Sequence, residues 1–151
     1  MNDQPSAKPA RILPRLAQYP GQTGDIIRFG DLDPQGHVNN TVFATFFETG
    51  RVMLLREPKN MLNPPGATSV LARLDINFLQ ELHWPGEVKI GTGTVEIGRS
   101  SYTFLQAIFH DGQCAATGRA TMVMIDAATR RARPLPQDVV ARLEELRLRG
   151  E

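Results

Sequence analysis

The sequence predicts an α+β fold in which one antiparallel sheet covers a buried helix. Three observations carry this. The stretch from Asn39 to Arg56 is apolar on most faces of a helical period. The chain after it alternates apolar and polar residues with period two over four segments. Runs of Gly, Pro, Asn and Asp separate those segments. Periodicity of 3.6 marks a helix and periodicity of two marks a half-buried strand, and one helix followed by a run of strands reads as α+β. A sheet that curves around the helix covers it with one face. The other face then needs a second cover, which a dimer partner would supply.

In chain order, a short strand is expected at about Asp25 to Phe29. The run Gly30-Asp31-Leu32-Asp33-Pro34-Gln35-Gly36 follows, and such turn residues cannot continue a strand. In the helix, Phe43, Phe46, Phe47, Gly50 and Leu54 fall on one face, and Val42, Ala44, Met53 and Leu55 make other faces apolar. Gly50 weakens the helix but allows a close approach by a neighbour. The helix stops before Pro58, and Asn63-Pro64-Pro65-Gly66 is a loop. From Ser69 to Leu79 the residues Val70, Ala72, Leu74, Ile76 and Phe78 alternate with Arg73, Asp75 and Asn77. His83-Trp84-Pro85-Gly86 reads as a turn leading to a strand over Val88 to Ile97, with a bulge expected near Gly91 and Gly93. Further strands are expected over Tyr102 to Phe109 and Cys114 to Ile125, joined by Asp111-Gly112, a strong hairpin signal. The four long strands are thus expected to follow one another as hairpins. Gln137 to Arg149 closes as a short amphipathic helix.

With 151 residues the chain suits one domain with one core. Residues 1–20, polar and Pro-rich, are expected to form a flexible arm or a loosely docked cover, and residues 21–151 the domain. A net charge of +1 gives no whole-protein field that would favour nucleic acid or an anionic membrane. No segment reaches the roughly 20 apolar residues of a membrane helix, and the first residues lack the apolar region of a secretory signal. The expected location is the cytoplasm. The single cysteine, Cys114, lies in a run of small apolar residues and reads as a buried hydrophobe rather than a nucleophile. His37, His83 and His110 lack metal-ligand spacing, so neither a metal nor a cofactor is expected.

The chemistry concentrates in Arg28-Phe29-Gly30-Asp31-Leu32-Asp33-Pro34-Gln35-Gly36-His37-Val38-Asn39-Asn40. Two carboxylates, an imidazole and two amides stand directly ahead of a buried helix. The first N–H groups of a helix have no internal partners and carry partial positive charge, so they stabilise an anion or a developing oxyanion. A carboxylate in the preceding loop can then act as base or nucleophile on a carbonyl polarised there. Each residue also has a structural explanation. Asp31 and Asp33 can bond turn N–H groups, His37 can bond loop carbonyls, Asn39 and Asn40 can cap the helix, and Gly36 can supply an unusual backbone angle.

The string RFGDLDPQGHVNN, followed by an apolar helix containing Phe47-Glu48-Thr49-Gly50-Arg51, resembles the hotdog-fold acyl-CoA thioesterases of the 4-hydroxybenzoyl-CoA thioesterase type. Its Gly-His-Val-Asn-Asn variant resembles the branch acting on fatty or other acyl-CoA esters. The resemblance spans about residues 24–136. It implies a hotdog fold, a five-stranded antiparallel sheet wrapped around a long central helix. It also implies homodimers joined sheet edge to sheet edge, often paired into homotetramers, with active sites at the subunit interface. By that resemblance Asp33 is the catalytic carboxylate, the backbone N–H at Asn40 is the oxyanion donor, and Gly36 and His37 complete the catalytic loop. The resemblance implies an acyl-CoA thioester as substrate. Asn39 and Asn40 stand where some members carry an aromatic residue, which bears on the acyl pocket more than on the chemistry.

Asn39, Arg99 and Arg131 are the candidates for substrate contact, the two arginines for the phosphates of CoA; Arg130 and Arg133 flank the latter. Glu48 could take part in catalysis, but an ion pair with Arg51 on the same helix explains it as well. Two other functions fit the same fold: a hydratase or dehydratase acting on enoyl-CoA, and a non-catalytic module binding acyl-CoA or an acyl carrier.

Overall fold

The computed structural model describes residues 13–150, so most of the expected arm lies outside the described residues. In chain order the elements are β1 (Gly21–Ile27), α1 (Asn40–Arg56), β2 (Ala67–Phe78), β3 (Gly86–Ile97), β4 (Ser101–His110), β5 (Gln113–Asp126) and α2 (Gln137–Glu145). The strands form one five-stranded sheet in the order β1-β3-β4-β5-β2, and all four pairings are antiparallel. This is the expected hotdog architecture, with α1 lying along the concave face against β1, β3 and β4.

One connection differs from the sequence reading. β3-β4 and β4-β5 are hairpins, but β2 and β3 are not neighbours. β2 pairs with β5 at one edge of the sheet, and β3 pairs with β1. Residues 79–85 are therefore a crossover and not a tight turn. Alternation along β2 fixes which residues face the helix but not which strand lies alongside, and the turn residues His83 to Gly86 suit either connection.

The helix is held to the sheet by Phe43, Phe46 and Phe47, all buried. They pack with Ile90, Ile108, Ala115 and Ala116 into one half of the core. Leu54 and Leu55 lead the other half, which α2 closes with Val139 and Leu143. At Gly50 helix and sheet come closest. A Cβ there would stand 2.6 Å from Ile90 Cγ2, 2.9 Å from Gln106 Nε2 and 3.1 Å from Thr92 Oγ1. The neighbours that need the missing side chain are thus side chains of β3 and β4.

The helix is more open than its apolar composition predicts. Val52 and Met53 are exposed, as are Thr45 and Glu48. The expected Glu48–Arg51 ion pair does not form either. Arg51 is 4% exposed, and its guanidinium donates to Gln106 Oε1 at 3.1 Å. Burial lowers the Arg51 pKa from its usual value, with the nearby Glu48 charge opposing that shift.

Part of the sheet's other face takes its cover from this chain. Tyr19 packs on Ala107, Phe109 and Cys114, with Leu16 and Leu148 beside it. Gly91 leaves the room Tyr19 occupies: a Cβ there would meet the ring at 2.5 Å. The described end of the arm is thus docked. The bulge in β3 lies between Thr94 and Glu96, a little beyond Gly91 and Gly93, which serve close packing instead. Asp111 and Gly112 both have positive φ, 49° and 76°, the primed turn their sequence signals.

Candidate active site

The loop between β1 and α1 closes on itself before the helix begins. Asp33 N–H donates to His37 O at 2.9 Å, Gly36 N–H donates to Asp33 O at 3.0 Å, and Leu32 bridges Val38. Gly36 makes the turn possible, with φ 86°. Two further bonds pin the loop to the frame. Asn39 N–H donates to Asp31 O at 2.9 Å, and Val38 N–H donates to Leu82 O at 2.8 Å. The second brings the β2–β3 crossover against the tip of α1.

The two aspartates separate here. Asp31 Oδ2 accepts the Arg28 N–H at 2.8 Å, so its carboxylate closes a short 3₁₀ turn at Phe29–Asp31. Asp33 uses one oxygen in the same manner: Oδ1 accepts the Gln35 N–H at 2.8 Å. Its other oxygen, Oδ2, stands 3.7 Å from His37 Nδ1. The Asp33 side chain keeps 19% exposure, at the wall of a cavity of about 420 Å³.

Asn40 lines the same cavity. Asn39 is the helix cap, its Oδ1 accepting Thr41 N–H and Thr41 Oγ1 at 2.9 Å each. The Val42 N–H returns to Asn39 O at 3.0 Å. Among the described residues the Asn40 N–H has no acceptor, so the first amide of the helix is free beside the cavity. The carboxylate oxygen of Asp33 and this amide are the two polar groups an acyl-transfer site requires. Phe43 and Phe78, packed edge to face with centroids 5.1 Å apart, supply an apolar wall beside Val38 and Leu79.

Of the residues singled out in the sequence, Asp33, His37 and Asn40 gather at this cavity. Gly36 shapes the loop, and Asn39 has the capping role. Arg99 and Arg131 are not brought to it. Arg99 follows the far end of β3, its carbonyl accepting Leu135 N–H, and Arg131 pairs by its backbone with Asp126 at the far end of β5. The strands of 10 to 14 residues that separate them from Asp33 run on the order of 30–45 Å. Glu48 is exposed and does not line the cavity. The sequence reading missed Glu81, whose Oε1 stands 3.7 Å from His37 Nε2. It missed Phe78 as an acyl-side wall too. Phe78 reaches the site from the end of β2 and Glu81 from the crossover that follows, and periodicity along a strand reveals neither placement.

Comparison with known proteins agrees with this fold. The family model of the thioesterase-like superfamily matches residues 27–143. The chain belongs to that superfamily. Solved structures share its fold at nearly full length. A thioesterase from Thermus thermophilus, crystallised with coenzyme A and Zn, is 31% identical, with a TM-score of 0.73 over 83% of this chain and 98% of that one. The PA5185 protein of Pseudomonas aeruginosa is 25% identical, with a TM-score of 0.81 over 91% and 99%. YbaW of Escherichia coli, described as a probable thioesterase, is 25% identical, with a TM-score of 0.73 over 83% and 97%. No curated protein matches the chain. This superfamily member is thus a thioester hydrolase. Among its described residues no helix is long and apolar enough to cross a membrane, and no three of His, Cys, Asp or Glu cluster so as to hold a metal ion.

Proposed function

We propose that the protein hydrolyses an acyl-CoA thioester to the free acid and CoA at the tip of α1. The thioester carbonyl lies against the free Asn40 N–H, where charge developing on oxygen is stabilised by that amide and the helix dipole. Asp33 attacks the carbonyl carbon or draws a proton from an attacking water, and CoA leaves as the thiolate. The observation that carries this reading is the shared cavity, which has the Asp33 carboxylate and the unpaired amide on its wall and Phe43 and Phe78 beside them. The Thermus relative crystallised with coenzyme A supports CoA as the carrier.

The active unit is a homodimer or a homotetramer built from it. β2 is an edge strand, most of it exposed from Leu71 to Phe78, and it has no partner on its outer side. A second copy pairing there in antiparallel fashion would extend the sheet and cover both edges at once. The protein acts in the cytoplasm.

The test is thiol release from a panel of acyl-CoA esters by wild type and Asp33→Asn. Wild type is expected to release thiol, and the variant to lose at least about 100-fold in kcat, the scale of a removed acid–base group, while keeping its circular dichroism spectrum. Comparable turnover by a folded Asp33→Asn variant would refute the role of Asp33.

A further inference from the structure

We propose that Glu81 is a positioning residue of this site: its carboxylate holds the His37 imidazole against Asp33, and His83 holds Glu81 from the solvent side. The inference rests on the reading of Asp33 as the reacting carboxylate. The four side chains form one chain of contacts. Asp33 Oδ2 lies 3.7 Å from His37 Nδ1, His37 Nε2 lies 3.7 Å from Glu81 Oε1, and Glu81 Oε2 lies 3.6 Å from His83 Nε2. The two imidazole rings meet edge to face with centroids 6.3 Å apart.

Several features separate this arrangement from an ordinary surface pair, which is worth little. Glu81 and His37 line the same cavity as Asp33 and Asn40. The backbone beside Glu81 is fixed, because Leu82 O accepts the Val38 N–H and Leu82 itself is buried in the core. Among the described residues Glu81 has no hydrogen-bond or ion-pair partner besides the two histidines. His37, in turn, has a carboxylate oxygen opposite each ring nitrogen. At these separations the contacts are electrostatic and not hydrogen bonds, and a carboxylate on each side of the ring favours the orientation that presents a nitrogen to both. A ring nitrogen held beside Asp33 Oδ2 limits the positions open to that oxygen. Oδ1 is already held by the Gln35 N–H. Removing Glu81 frees the ring to turn, and the Asp33 carboxylate loses one of its two restraints. The reacting group stays but is less well aimed, so turnover suffers and substrate affinity does not.

The experiment is thiol release from one acyl-CoA ester by wild type and by Asp33→Asn, Glu81→Gln, Glu81→Asp, His37→Asn and the double variant Glu81→Gln/His37→Asn. Glu81→Gln keeps the shape and removes the charge, and Glu81 is exposed enough for the fold to tolerate it. Its kcat is expected to fall roughly fivefold with KM changed less than about twofold. Glu81→Asp is expected to recover part of the loss. In the His37→Asn background the Glu81 change is expected to have no further effect, since Glu81 acts only through that ring. Unchanged kcat in Glu81→Gln, a loss entirely in KM, or a loss that adds in full to that of His37→Asn would overturn the inference. If Asp33→Asn is inactive while Glu81→Gln equals wild type, this inference alone fails. Turnover by Asp33→Asn at the wild-type rate sinks the underlying reading and this one with it.

Discussion

Gly50→Ala is expected to destabilise the protein, although the same change inside most helices is stabilising. In an exposed helix, alanine is better than glycine by about 1 kcal/mol. At this position the added methyl meets Ile90 Cγ2 at 2.6 Å and Gln106 Nε2 at 2.9 Å. Neither neighbour can step aside into solvent, since both are fully buried. Gln106 is constrained further. Its amide donates to Phe47 O and to Thr92 Oγ1, each at 2.9 Å, and its Oε1 accepts Arg51. Overpacking a core typically costs about 1–3 kcal/mol, and displacing Gln106 weakens buried hydrogen bonds worth about 1 kcal/mol each. Against the gain in propensity, the net loss is about 1–3 kcal/mol. For a chain of this size that lowers Tm by about 3–10 °C. Thermal and urea unfolding followed by far-ultraviolet circular dichroism measure it, with the slope in urea expected to stay the same. A Tm equal to or above that of wild type would show that helix and sheet are not in contact at Gly50.

Two further predictions concern buried polar groups. Gln106→Leu is expected to destabilise by about 2–4 kcal/mol, because it leaves the Arg51 charge in the core without its hydrogen-bond partner, and Arg51→Met in that background is expected to restore most of the loss; unfolding of the three variants in urea decides this, and full additivity would refute it. Burial pushes the Tyr102 hydroxyl up to about 12, the Ser69 hydrogen bond opposing, and burial raises Tyr19 further. The unfolded chain releases these protons near 10 while the folded one retains them, so stability is fully present below about pH 10 and is lost as pH rises toward 12. Absorbance of phenolate in a pH titration is expected to emerge only with unfolding, and a reversible titration near pH 10 in the folded protein would contradict it.

Much of the fold was legible because it is written in local periods. The apolar face of α1, the alternation of β2 and the Asp111-Gly112 turn each identify an element within a few residues of its bounds. Pairing was not legible. Nothing in the alternation of β2 distinguishes β3 from β5 as its neighbour, and so the crossover was read as a turn. The site divides along the same line. Asp33, His37 and Asn40 are close in sequence and precede a helix whose first amide must be free, so their proximity follows from local geometry. Phe78 ends β2 and Glu81 follows it, both beyond the whole of α1, and they are brought in by the packing of Phe78 on Phe43 and by the Val38–Leu82 hydrogen bond. The placement of the arginines within one chain was not legible for the complementary reason. Charge suits them to phosphate, but strand length carries them to the opposite end of the sheet from Asp33. The helix misled in one respect: its composition implied burial on most sides, whereas a single chain leaves Val52 and Met53 exposed.

The protein's one tryptophan sits on the crossover that completes the site. Trp84 is half exposed, edge to face with Phe29 at 5.3 Å, and away from the two core halves. Its emission therefore reports the docking of that connection rather than the consolidation of the interior. Closing a contact between segments so distant in the chain is entropically slow compared with forming hairpins. During refolding, β-structure measured by circular dichroism should return ahead of the tryptophan signal, and enzymatic competence should return in step with the latter.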